Sequence, residues 1–101
     1  MEYLPQRIET LGAEAARARA DYLKTLLNTV AICADLTETE QGIGDSDGAI
    51  KALERAEAAL AKVRAVLSNP KHKVANPVRD ELTRRAESLR LRLDVLKSRM
   101  A

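Results

Sequence analysis

The chain has 101 residues, a single cysteine, 46% apolar residues and a formal charge of +2. That length suits one domain around one core, the lone Cys33 excludes an internal disulfide framework, and no run approaches the ~18 apolar residues that would span a bilayer. Ala (17) and Leu (14) dominate while Phe and Trp are absent, which points to an all-α fold of thin helices packed at close range rather than to strands.

The first helix is expected over about residues 5–41, opening at Pro5, whose missing N–H is harmless in a first turn. Leu4, Ile8, Leu11, Ala15, Ala18 and Tyr22 alternate at four and three residues, and Leu26, Val30, Cys33 and Thr37 continue the stripe after a four-plus-four stutter. The stretch from Tyr22 to Leu36 is the more apolar half and is expected in the core. Gly42-Ile43-Gly44 ends the helix, and Asp45, Ser46 and Asp47 offer caps for the next. Gly44-Asp45-Ser46-Asp47-Gly48-Ala49-Ile50, with Ala56 following, is similar to the inter-helix turn and second helix of a tetratricopeptide repeat; no second copy follows, so the resemblance implies a helix hairpin only.

The second helix is expected over about 47–68, with Leu53, Ala56, Leu60, Val63 and Leu67 on one face and Ala52, Ala59 and Val66 widening it. A face that broad suits a middle helix touching two neighbours. Ser68-Asn69-Pro70 closes it. Asn76-Pro77 then reads as cap and first helical residue of a third helix over about 77–100, with Leu82, Ala86, Leu89, Leu93, Leu96 and Met100 as its apolar seam. The predicted architecture is a three-helix antiparallel bundle with a long first helix and coiled-coil-like packing.

Charge is distributed unevenly: residues 1–44 hold seven acidic and four basic side chains, residues 69–101 nine basic and four acidic. Arg85, Arg92 and Arg99 recur every seven positions on one side of the third seam, with Arg90 and Lys97 on the other. Such margins repel a parallel copy of the same helix and select a neutral or acidic neighbour, a role for which Glu14 and Asp21 on the first helix are the expected partners. At 1.5 Å per residue the first helix outruns the other two by roughly 20 Å, so either it breaks near Gly12 or its start projects beyond the bundle; in the projecting case Leu4, Ile8, Leu11 and Ala15 are the expected interface, with Arg85, Arg92 and Arg99 setting its orientation.

No catalytic constellation emerges. His72 lies between Lys71 and Lys73 in a loop without an orienting partner, and Cys33 sits mid-helix among apolar neighbours, where a thiol packs rather than reacts. One Cys and one distant His cannot hold zinc, and a calcium loop opening at Asp45 would need a Glu where Ala56 stands. No metal or cofactor is expected, and no enzyme. The reading is a cytoplasmic protein-protein interaction module (scaffold, adaptor, or inhibitor- or chaperone-like) that forms a homo-oligomer or binds another helical protein, away from any membrane. The alternative is a small nucleic-acid-associated protein using the Arg-rich face of the third helix, although no stacking aromatics or helix-turn-helix pattern accompany that face.

Overall fold

The structure, a computed structural model, describes residues 3–69, 71 and 74–100, with side chains from residue 12 onward. It contains three helices: α1 (Tyr3–Gly42), α2 (Ser46–Ser68) and α3 (Asn76–Ser98). They form an all-α bundle in which α1 packs on both other helices, most extensively on α2. The molecule is a rod of 65 × 17 × 16 Å. Its length is that of α1, which continues unbroken through Gly12 and spans about 60 Å at the standard rise.

The turn between α1 and α2 follows from its glycine and its acid. Gly44 takes φ +79°, the left-handed conformation that glycine adopts without a Cβ penalty. The Gly44 N–H then donates to the Gln41 carbonyl at 3.2 Å and the Asp45 N–H to the Glu40 carbonyl at 2.9 Å, the paired bonds of a Schellman cap. Asp45 also opens α2, its carboxylate accepting from the Gly48 N–H at 2.9 Å. At α3 the cap differs from the expected one. Ala75, not Asn76, occupies the capping position, its carbonyl accepting from the Arg79 N–H at 2.8 Å with no side-chain cap. Pro77 thus falls within the first turn, where it needs no donor.

The core is a layer of Leu, Val and Ala. From α2 come Ala49, Ala52, Leu53, Ala56, Ala59, Leu60 and Val63, and from α3 Leu82, Ala86, Leu93 and Leu96. Leu89, Met100, Val66 and Leu67 pack partly buried against them, so both seams lie where their periodicity puts them. On α1 the phase is different. Its buried residues are Ala20, Leu23, Leu27, Val30, Ala34 and Thr37, an unbroken three-and-four alternation without a stutter. Tyr22, expected in the core, is 51% exposed, and Leu36 is 41% exposed. Ala20 and Ala34 let α1 approach the Ala-rich face of α2 more closely than Tyr22 would allow, and close packing decides the phase. Thr37 is tolerated at 0% exposure because its hydroxyl donates to the Cys33 carbonyl at 2.7 Å.

Candidate protein-protein interface

The chain runs up α1, down α2 and up again along α3, so α1 and α3 are parallel neighbours. Two side-chain bonds fix their register. Arg85 donates to Asn28 at 2.6 Å and Arg92 to Asp35 at 2.6 Å, each pair 57 residues apart. Arg92 also reaches Glu38 at 3.0 Å, and Arg99 lies 3.8 Å from the same carboxylate. The Arg92 guanidinium is held above its ordinary pKa chiefly by its hydrogen bond to Asp35. The three arginines of the heptad row are therefore brought together against α1 of their own chain. The carboxylates they meet are Asp35 and Glu38 rather than Glu14 and Asp21. On the opposite margin Lys97 lies 3.6 Å from Glu57 of α2, while Arg90 pairs along its own helix with Glu87 and Asp94.

The same register shows where the bundle stops. Asn76, the first residue of α3, comes level with residue 19 of α1, and Ala20 is the first buried position on α1 among the described side chains. Residues 12–19 of the helix carry no buried side chain. Ala15, one of the expected interface residues, lies exposed on this projecting arm. Leu4, Ile8 and Leu11 belong to the helical backbone of the arm, and their side chains are outside the described residues. His72 and Lys73 also fall outside them. Cys33 is only partly exposed and packs against the core edge.

Several features escaped the pattern. Val74 is 8% exposed and joins the core from the α2–α3 connector, where no period announces burial. Gln41 donates its amide to the Leu96 carbonyl at 2.8 Å, pairing one of the last carbonyls of α3, while its own Oε1 is buried with no partner. It lines an open cleft of about 590 Å³ with Glu38, Ile50, Arg99 and Met100 at the α1–α2 turn. Beside the cleft, in the turn itself, Glu40 and Asp45 meet, brought together by the helix cap. Their mutual hydrogen bond, desolvation and repulsion raise the Glu40 pKa. The Gly48 N–H, foremost, and Glu40 lower that of Asp45. The Asp45 loop is thus a helix cap.

Large apolar residues remain uncovered on two outer faces. Tyr22, Ile32, Leu36 and Ile43 lie along α1, and Leu91 and Val95, 53% and 52% exposed, lie one turn apart on α3. Among the described residues no group of three His, Cys, Asp or Glu is placed to hold a metal ion, and no helix is long and apolar enough to cross a membrane. Comparison with models of known protein families, with curated proteins and with solved structures finds no match.

Proposed function

We propose that this protein is a non-enzymatic helical interaction module that associates with itself through α1. The observation that carries this reading is the overhang: α1 has 40 residues against 23 in each of its partners, and among the described side chains of its arm, residues 12–19, none is buried. The sequence of that arm places Leu4, Ile8, Leu11 and Ala15 at three-and-four spacing. Apolar stripes of this kind are normally covered by a partner. Arg85, Arg92 and Arg99 serve the module by locking α3 in parallel against α1.

Light scattering at tens of micromolar should report a mass above 11.1 kDa, and Leu11→Asp should return it to one chain while circular dichroism shows the bundle intact. A wild-type monomer under those conditions overturns the reading. The engagement of Arg92 and Arg99 with Asp35 and Glu38 supports it over the nucleic-acid alternative, because guanidiniums paired within the fold are poorly placed to displace counterions from a phosphate backbone. A shift of short DNA or RNA that fades steeply with salt would reverse that preference.

A further inference from the structure

The exposed residues of α1 form a second stripe, as regular as the buried one. Ala15, Ala18, Tyr22, Thr25, Thr29, Ile32, Leu36, Thr39 and Ile43 follow one another at alternating three and four residues, and all nine are exposed. None carries a charge. Ile43 lies past the last residue of α1 but keeps the helical trace, its N–H donating to the Thr39 carbonyl at 3.1 Å. The stripe lies opposite the groove that receives α2 and α3. Its three threonines are prepared for burial. The hydroxyls of Thr25, Thr29 and Thr39 donate to the Asp21, Thr25 and Asp35 carbonyls at 3.0, 3.1 and 3.0 Å. Each hydroxyl therefore already has its partner, and removing it from water leaves no donor unpaired.

We infer that this outer face is the seam of an antiparallel homodimer, in which α1 of one copy lies along α1 of a second copy about a twofold axis between Val30 and Ala31. This moves the self-association proposed above from the arm to the outer face of α1, and rests on that reading only for the premise that α1 meets its own kind. The argument for a second copy is self-complementarity. In this register Ala18 falls opposite Ile43 of the second copy, Tyr22 opposite Thr39, Thr25 opposite Leu36, and Thr29 opposite Ile32. From Ala18 to Ile43 each small side chain thus meets a large one, and the twofold repeats each pairing, as an isologous interface requires.

The margins agree with the same register. On one edge Asp21 meets Gly42 of the second copy, and Asn28 meets Asp35, both of which already accept hydrogen bonds from α3. On the other edge Leu26 meets Cys33, two partly buried residues that extend the apolar strip, and Arg19 meets Glu40. No like charges oppose. A parallel pair fits worse, since it stacks Tyr22 on Tyr22 and Thr25 on Thr25 in uneven layers and sets Asp35 beside Glu40. The antiparallel dimer leaves the two N-terminal arms pointing outward at opposite ends.

Ile32→Asp tests the face. Ile32 is 66% exposed, so the monomer should keep its helicity while the mass in light scattering falls from twice 11.1 kDa to 11.1 kDa. The register is tested by spin labels on Arg17→Cys in a Cys33→Ala background. Two labels in the proposed dimer stand 27 residues apart along the axis, or about 40 Å at 1.5 Å per residue. A parallel dimer brings them level, and a dimer formed by antiparallel overlap of the arms about the centre of residues 4–15 places them about 23 Å apart along the axis on the same rise. Loss of the dimer with Ile32→Asp together with the long distance supports the inference. A dimer that survives Ile32→Asp but dissolves with Leu11→Asp overturns it and leaves the arm as the interface. A short label distance overturns the antiparallel register, and a wild-type monomer removes both proposals.

Discussion

The two faces of α1 make an instructive pair. The inner one, from Ala20 through Leu23, Leu27, Val30 and Ala34 to Thr37, is covered by α2 and α3 of the same chain. The outer one, from Ala15 to Ile43, has the same alternation and the same lack of charge, yet its residues stay exposed. Composition separates them only slightly: the inner face is richer in Leu, Val and Ala, the outer in Thr and Ile, with Tyr22 and Ile32 standing proud. A stripe of apolar residues at helical spacing therefore announces that a helix has a face to pack. Which face its own chain takes is decided by closeness of approach, and here the small residues of α2 favour the one bearing Ala20 and Ala34.

That contrast can be broken most forcefully at Leu27. Leu27→Ala removes a side chain at 0% exposure and should lower the unfolding free energy by about 2–5 kcal/mol, as core truncations that leave a cavity do. Ile32→Ala on the outer face should change the unfolding of the isolated chain by less than about 0.5 kcal/mol, so urea denaturation of both variants in dilute solution should separate the two faces by several-fold. Equal losses would mean that the outer face is also packed within the chain.

Next in size is Arg92→Ala, at the boundary where α3 meets the edge of the outer stripe. Its pairs with Asp35 and Glu38 are half-exposed, so the loss should be about 0.2–1 kcal/mol and should shrink in high salt. The smallest effect belongs to the far end of α1. Because the Glu40 pKa is raised, the folded chain holds that proton more tightly than the unfolded one. Its contribution is therefore fully present below the ordinary glutamate value of 4.5 and is lost as pH rises through the raised value. Asp45, with its pKa lowered, acts oppositely and weakens the fold only as pH falls below the ordinary aspartate range. Glu40→Gln should keep a hydrogen bond to Asp45 without the repulsion. Thermal melts of that variant should lose the decline that wild type shows as pH rises above 4.5.

How much of this was legible depended on whether a helix has one stripe or two. In α3 the seam from Leu82 to Met100 is single and bounded by charge, and the structure buries it as spaced. In α1 apolar residues occupy two faces, and the expected stripe joins Ala15, Ala18 and Tyr22 of the outer one to Val30 and Thr37 of the inner one, so the period was readable and the phase was not; a stutter was needed to join residues that belong to different faces. Glycines and prolines marked the helix ends to within a few residues. The α3 cap was not legible, because cap preference favours Asn76 over Ala75, and the backbone nevertheless places Ala75 at the cap. The role of the arginine row was half-legible. Its spacing demanded an acidic neighbour, but that the neighbour is Asp35 and Glu38 follows from a 57-residue register that no local pattern contains.

The rod shape has its own consequence. A compact chain of this length would have a radius of gyration of about 13 Å, whereas this one has 17.3 Å. The protein spends its residues on reach rather than on depth of core, and in solution it will drag like a larger particle. A single copy should elute as though it had more mass than it carries and sediment as though it had less, so its assembly must be weighed by scattered light rather than judged from migration. Anything held at one end is kept tens of ångströms from anything held at the other, a spacing set by helix length alone.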